Sequence, residues 1–233
     1  MTSFLRRRGL LNVGMAGGLV LATPVAVSGV YARDAKKPGA DEAAAPPEQL
    51  MRGHAILARV LLIYESGLRR AGQGEDIDPA VFARAAEITK GFIHGHQEKV
   101  EEELVFAQFK KAGRMVELVG VLAGQHAAGA KLTDKILAAA PQTRTKEPRE
   151  AMGRDVQALI AMYRPHMARE ATDVFPTLRH LVTAEEYAEI ADEMMKRERQ
   201  AVGADGFEKV AKQVAEVEQV IGIEDIGVFT PKS

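Results

Sequence analysis

FIHGHQEKVEEELVF, residues 92–106, sets two histidines and four glutamates among apolar residues at helical spacing. Part of it is repeated further along the chain. Gln97-x3-Glu101-x4-Phe106 is matched by His166-x3-Glu170-x4-Phe175. Each phrase also follows a lone histidine one segment upstream, His54 before the first and His126 before the second. The chain therefore reads as two related hairpins of helices. A separation of four puts two side chains on one helical face about one turn apart, so His166 and Glu170 can meet one buried object, as can residue 97 and Glu101.

Apolar periodicity and breakers delimit the helices around these phrases. A first helix is expected over residues 48–71, before GQGEDIDP. Asp78 followed by Pro79 makes a strong start for a second, to about Lys111, with Gly113 as its stop. A third runs from about Met115 to Ala140, and a fourth from near Pro148 to about Leu181 with Pro165 inside it. That proline removes one backbone bond and predicts a kink just ahead of His166. Thr183 with Glu186 forms a capping box for a helix to about Gln200, and GFEKVAKQVAEVEQVIG supplies a last one. No strand pattern appears between 47 and 222. The expected fold is all-α, an up-and-down antiparallel four-helix bundle over 47–181, with a C-terminal helical extension over 182–233 on one side or an end.

The chain has 233 residues, no cysteine and a formal net charge of -1, which excludes a thiolate cluster and argues against a nucleic-acid partner. Residues 1–32 read as an export signal. Arg6–Arg8 precede an uncharged stretch with a small-residue end, and Arg7-Arg8-Gly9-Leu10-Leu11 resembles the twin-arginine type. Residues 33–46 read as a flexible linker. Export machinery as a partner, a periplasmic or otherwise exported location, and no stable membrane anchor after cleavage are the corresponding expectations.

Buried carboxylates and imidazoles without partners are strongly destabilising, and a metal inside the bundle satisfies them together. Carboxylates from opposing helices can bridge two ions while histidines cap them, a nitrogen and oxygen shell that suits iron, with manganese or zinc less favoured. MRGHAILARVLLIYE, QHAAGAKLTD and MYRPHMAREATDVFP, with a tail ending GVFTP, resemble the hemerythrin-like (HHE cation-binding) family over residues 48–181. The resemblance implies a non-haem di-iron centre that binds dioxygen, nitric oxide or a similar small gaseous or peroxide ligand. Its ligands would be His54, Glu101, His126, His166 and Glu170, with the two glutamates bridging. Alternatives are a di-iron peroxidase or oxidase, a nitric-oxide-consuming enzyme, or iron handling under stress. Gln97 stands where the family pattern has histidine, and Ala130 where a further histidine would follow His126; this histidine-poor set argues against simple oxygen transport.

Other polar residues near the phrases have separate expectations. At 100° per residue, Gln97 falls about 40° from Glu101 and faces the core, while His96 falls about 140° away unless a π-bulge turns it inward. His94 shares the Glu101 direction but lies about 10 Å along the axis. Tyr163, one turn before His166, either points at the site or packs as an ordinary core tyrosine. Glu98, Glu102 and Glu103 read as a solvated face.

Overall fold

The computed structural model describes residues 45–142 and 146–231. The export signal and most of the linker read from the sequence lie outside these residues. Among the described residues there are six helices and no strand. They are α1 (Pro46–Gly72), α2 (residues 79–112), α3 (Val116–Ala139), α4 (residues 146–178), α5 (Ala184–Val202) and α6 (Gly206–Ile221). None of these is long and apolar enough to cross a membrane.

The punctuation is the one expected from the residues. The Asp78 carboxylate accepts from the Ala80 amide with Pro79 in the first turn, and Gly113 ends α2 in the left-handed conformation. Thr183 and Glu186 satisfy each other's free backbone amides at the start of α5. The chain between α2 and α3 is tight enough to hold Met115 at φ 49°, an uncommon conformation for a residue with a side chain.

Two apolar clusters fill the bundle. One joins Ile56–Tyr64 side chains of α1 with Phe82 and Ile93 of α2, Ile136 of α3, and Val156, Leu159 and Tyr163 of α4. The other joins Leu50 of α1, Val105 and Phe106 of α2, Leu122 of α3, and Val174 and Phe175 of α4. On α1 and α3 the chain runs from the second cluster to the first, and on α2 and α4 from the first to the second. This is the up-and-down antiparallel arrangement. In all four helices the polar residues of this pattern, His54, Gln97 with Glu101, His126, and His166 with Glu170, lie at the junction of the two clusters. Each large apolar side chain fully buried there contributes about 1.5–3 kcal/mol, which offsets burial of a polar layer in the middle of the bundle.

The C-terminal helices cover one side. Val210, Val214, Val217 and Ile221 of α6 complete the first cluster against α1 and the start of α2, and Ile190 and Met194 of α5 join the second. Arg59 of α1 makes a bidentate ion pair to Glu218 of α6, at 2.8 and 2.5 Å, which fixes the two helices in register.

Two helices depart from regular α geometry. α2 widens to π pairing over Thr89–Gln97 and Glu101–Phe106, and α4 over Glu170–Val174. The Thr89 hydroxyl takes the Ala85 carbonyl and the Thr172 hydroxyl that of Ala168, so a side chain competes for a backbone acceptor at each place. The helix runs on through Pro165, and the irregularity expected just ahead of His166 instead begins at Glu170.

Candidate metal centre

The polar layer holds the residues of both phrases. His54 comes from α1, Gln97 and Glu101 from α2, His126 from α3, and His166 and Glu170 from α4, all at most 6% exposed. The His54 Nε2 lies 3.0 Å from Glu170 Oε2 and 3.6 Å from Glu101 Oε1. His166 Nε2 is 3.0 Å from the same Glu170 oxygen, and His126 Nε2 is 3.5 Å from Glu101 Oε2. Both glutamates therefore sit between histidines of different helices. The phenylalanine of each phrase packs on a lone histidine: Phe175 on His54 with ring centres 5.0 Å apart, and Phe106 on His126 at 5.6 Å. Those rings hold the imidazoles and exclude water on their outer sides.

Three features fit a pair of metal ions. His54, Glu101 and Glu170 form one group whose ligand atoms all lie within 4.8 Å of one another, and His126, His166 and Glu170 form a second. Glu170 Oε1 is buried without a hydrogen-bond partner, an arrangement that a cation relieves. The Nε2 atoms of His126 and His166 face each other at 3.1 Å, while their Nδ1 atoms lie 2.9 Å from Glu102 Oε1 and Gln125 Oε1. Each Nδ1–H donates to those acceptors, so in the neutral imidazoles both Nε2 lone pairs converge on one point. The donors are nitrogen and oxygen only, the set preferred by iron, manganese and zinc.

The electrostatics follow from crowding. Burial alone would lower the His54 pKa, but hydrogen bonds and charge from Glu101 and Glu170 override it and raise it to about 9. Burial would raise Glu170, yet the hydrogen bonds from His166 and His54 bring it down to about 2. Glu101 goes the other way, pushed up by burial and by the nearby Glu170 charge. In the metal-free centre, a proton held by His54 supplies positive charge beside Glu101 and Glu170.

Gln97 is the counterpart of His166 in the repeat. Its amide nitrogen donates to Glu101 Oε1 at 2.6 Å and to the Leu50 carbonyl at 3.3 Å. Both partners are acceptors, so the NH2 end must face them and the amide oxygen packs over Gly53, where a Cβ would lie 2.2 Å from it. Gln97 thus presents hydrogen-bond donors, not a lone pair, on the His54 side. Replacing it in Gln97→His is expected to tighten metal binding on that side about tenfold, or about 1.4 kcal/mol, and to weaken binding of an external ligand. Competition titration with a chelator checks this; unchanged affinity for both metal and ligand would show that position 97 does not border the centre.

Of the other nominated residues, His94 and Tyr163 join the surroundings and His96 does not. Tyr163 donates its hydroxyl to Glu98 Oε1 at 2.5 Å, and His94 Nδ1 lies 2.7 Å from Glu98 Oε2. Thr133 is 2.9 Å from the other His94 nitrogen. The Tyr163 hydroxyl lies over Gly129, where any Cβ would collide with it, and burial followed by the Glu98 charge raises its pKa strongly. His96 is buried beside the Phe92 ring, its pKa lowered by burial and by Arg197 of α5. The π pairing at Thr89–Gln97 is present, but it does not bring His96 into the centre.

Of the residues read as solvated, one is buried and another is only partly exposed. Glu98 is 5% exposed and lines the small cavity of about 10 Å³ between the ligand candidates. Glu102 is half-exposed but reaches back to His126. Only Glu103 faces outward, paired with Arg197. A carboxylate behind a ligating imidazole fixes its tautomer and raises its basicity. Glu102→Ala is accordingly expected to lower metal affinity about 10-fold or more with helicity intact, as read by chelator competition and circular dichroism. A loss under twofold would make the contact incidental.

Comparison with known proteins agrees with the polar layer. The hemerythrin HHE cation-binding domain matches residues 45–178. Uncharacterized proteins of Mycobacterium tuberculosis and Mycobacterium bovis are each 39% identical over 188 residues, spanning 79% of this chain and 73% of theirs. No solved structure matches the chain significantly.

Proposed function

The chain belongs to the hemerythrin HHE cation-binding domain family, and from that premise we propose that it is an exported non-haem di-iron protein that reversibly binds dioxygen, nitric oxide or a similarly small ligand. The observation that carries the reading is the pair of His/Glu groups sharing Glu170, with hydrogen-bond donors of Gln97 where an imidazole would complete the His54 side. Bound iron would supply an open coordination position and the electrons that a gaseous ligand needs. His54, His126 and His166 would hold it through Nε2, together with the carboxylates of Glu101 and Glu170.

The chain's own residues define what such a site can admit. The cavity between the ligand candidates is about 10 Å³, on the scale of one water molecule. Phe106 and Phe175 keep bulk water out, and Gln97 holds the Glu101 carboxylate so that its second oxygen stays toward His126. The proposal is tested by anaerobic spectroscopy of the iron-loaded protein. A visible absorption band that appears with dioxygen or nitric oxide and disappears when the gas is removed supports it; no spectral change with either gas overturns it.

A second reading, turnover of peroxide or nitric oxide, is favoured by the Glu98–Tyr163 pair on the cavity wall, which would place exchangeable protons beside a ligand held there. Sustained consumption that disappears in Glu101→Ala would favour it. Equal rates in the metal-free protein would remove it.

A further inference from the structure

The outer face of α3 carries apolar side chains that the bundle does not use. Residues 118–130, LVGVLAGQHAAGA, contain no charge, so this helix is uncharged on every side for more than three turns. Its inner face buries Val119, Leu122, His126, Gly129 and Thr133. On the outer side Val121 is 58% exposed and Val116 46% exposed, with Met115 exposed just before them. α5 and α6 lie against α1 and α2 and leave this face uncovered. A helix apolar all round is ordinarily buried on both sides.

The charges bordering this face indicate what covers it. Gly124 lies at its centre. Glu117 and Lys131 stand seven residues before and after Gly124 on the same face. They are opposite in sign. A two-fold axis through Gly124 therefore sets Glu117 of one copy against Lys131 of the next, a pairing that occurs twice. A parallel pairing would instead set like charge on like. Among the described residues the side chains of Glu117 and Lys131 make no hydrogen bond or ion pair within the chain. At Gly120 and Gly124 an added Cβ would meet nothing within 4 Å, so no packing within the chain calls for glycine there. Glycine in a helix interior is less stable than alanine, and its use on a face is explained by close approach of another backbone.

We propose that the α3 face centred on Gly124 is a self-association surface, on which two copies of this chain pair antiparallel through Val116, Val121 and the two glycines, with a Glu117–Lys131 pair closing each end. The ionic ends set the direction and register, and the apolar centre supplies the affinity.

Sedimentation equilibrium of the full exported chain, from about 1 to 200 micromolar, reads the result. A monomer–dimer equilibrium is expected, weakened at least tenfold by Val121→Glu and by Glu117→Lys. The exchange Glu117→Lys with Lys131→Glu is expected to restore it, because each new charge meets its opposite across the two-fold axis. All these positions are exposed, and circular dichroism verifies that the variants remain helical. A monomer throughout the range overturns the proposal, as does an assembly indifferent to Val121→Glu. Failure of the charge exchange to restore pairing overturns the antiparallel register.

Discussion

Stripping metal from the folded protein is expected to lower its thermal midpoint by roughly 10 °C. Ligand present at about 1,000 times its dissociation constant stabilises the folded state by about 4 kcal/mol, and a domain of this size shifts about 2–4 °C per kcal/mol. The structural cause is the polar layer between two apolar clusters, where the Glu170 Oε1 atom has no partner and two imidazole nitrogens converge. The difference should also depend on pH. In the metal-free protein His54 has its pKa raised from 6.5 to about 9, so the stability it contributes is complete below pH 6.5 and is lost as pH rises through 9. Metal needs the neutral imidazole and gains affinity over the same interval. The gap between loaded and stripped midpoints is therefore expected to widen from pH 6.5 to 9, measured by calorimetry at several pH values. On the acid side Glu170, lowered to about 2, contributes stability present above its ordinary 4.5 and lost as pH falls through 2. A gap that stays constant or narrows between pH 6.5 and 9 would remove His54 from the ligand set.

Glu170→Ala is expected to abolish binding of both ions, whereas His54→Ala should remove one. Glu170 is the member common to both groups, and removing it leaves His54 with Glu101 on one side and His126 with His166 on the other. Two-ligand remnants bind poorly, since a metal site needs its donors converging from several directions. His54→Ala leaves His126, His166 and Glu170 together. Glu170→Gln keeps the side-chain shape, separating loss of the carboxylate from loss of packing. Metal content after dialysis and circular dichroism on the three variants provide the check. Two ions retained in Glu170→Ala, or equal losses in all variants, would contradict a shared carboxylate.

The fold was legible because its signals are local. Asp78-Pro79, Gly113 and the Thr183–Glu186 box each act within one turn of the residue that carries them, and the apolar period is strong in α1, α5 and α6. The five polar positions that the structure brings together were legible for a different reason: the phrase occurs twice at the same spacing. Glu98 was misread because a glutamate-rich helix face is ordinarily solvated; His94 one turn before it was an available signal, but nothing nearby in sequence announces Tyr163 as its partner. The i→i+5 pairing of Thr89–Gln97 and Glu101–Phe106 also shifts side-chain directions away from a 100° wheel. Glu102 and Gln125 were missed because their role is to orient imidazoles from other helices, which requires the packed bundle to be seen. The glutamine in the opening stretch acquires a defined part. It takes the place of an imidazole and holds a carboxylate by donating to it.

Metal analysis of the full chain, purified without oxygen from iron-replete cells, tests the di-iron reading most directly. Two iron ions per folded chain are predicted. A folded, helical protein holding less than one transition-metal ion per chain would contradict it.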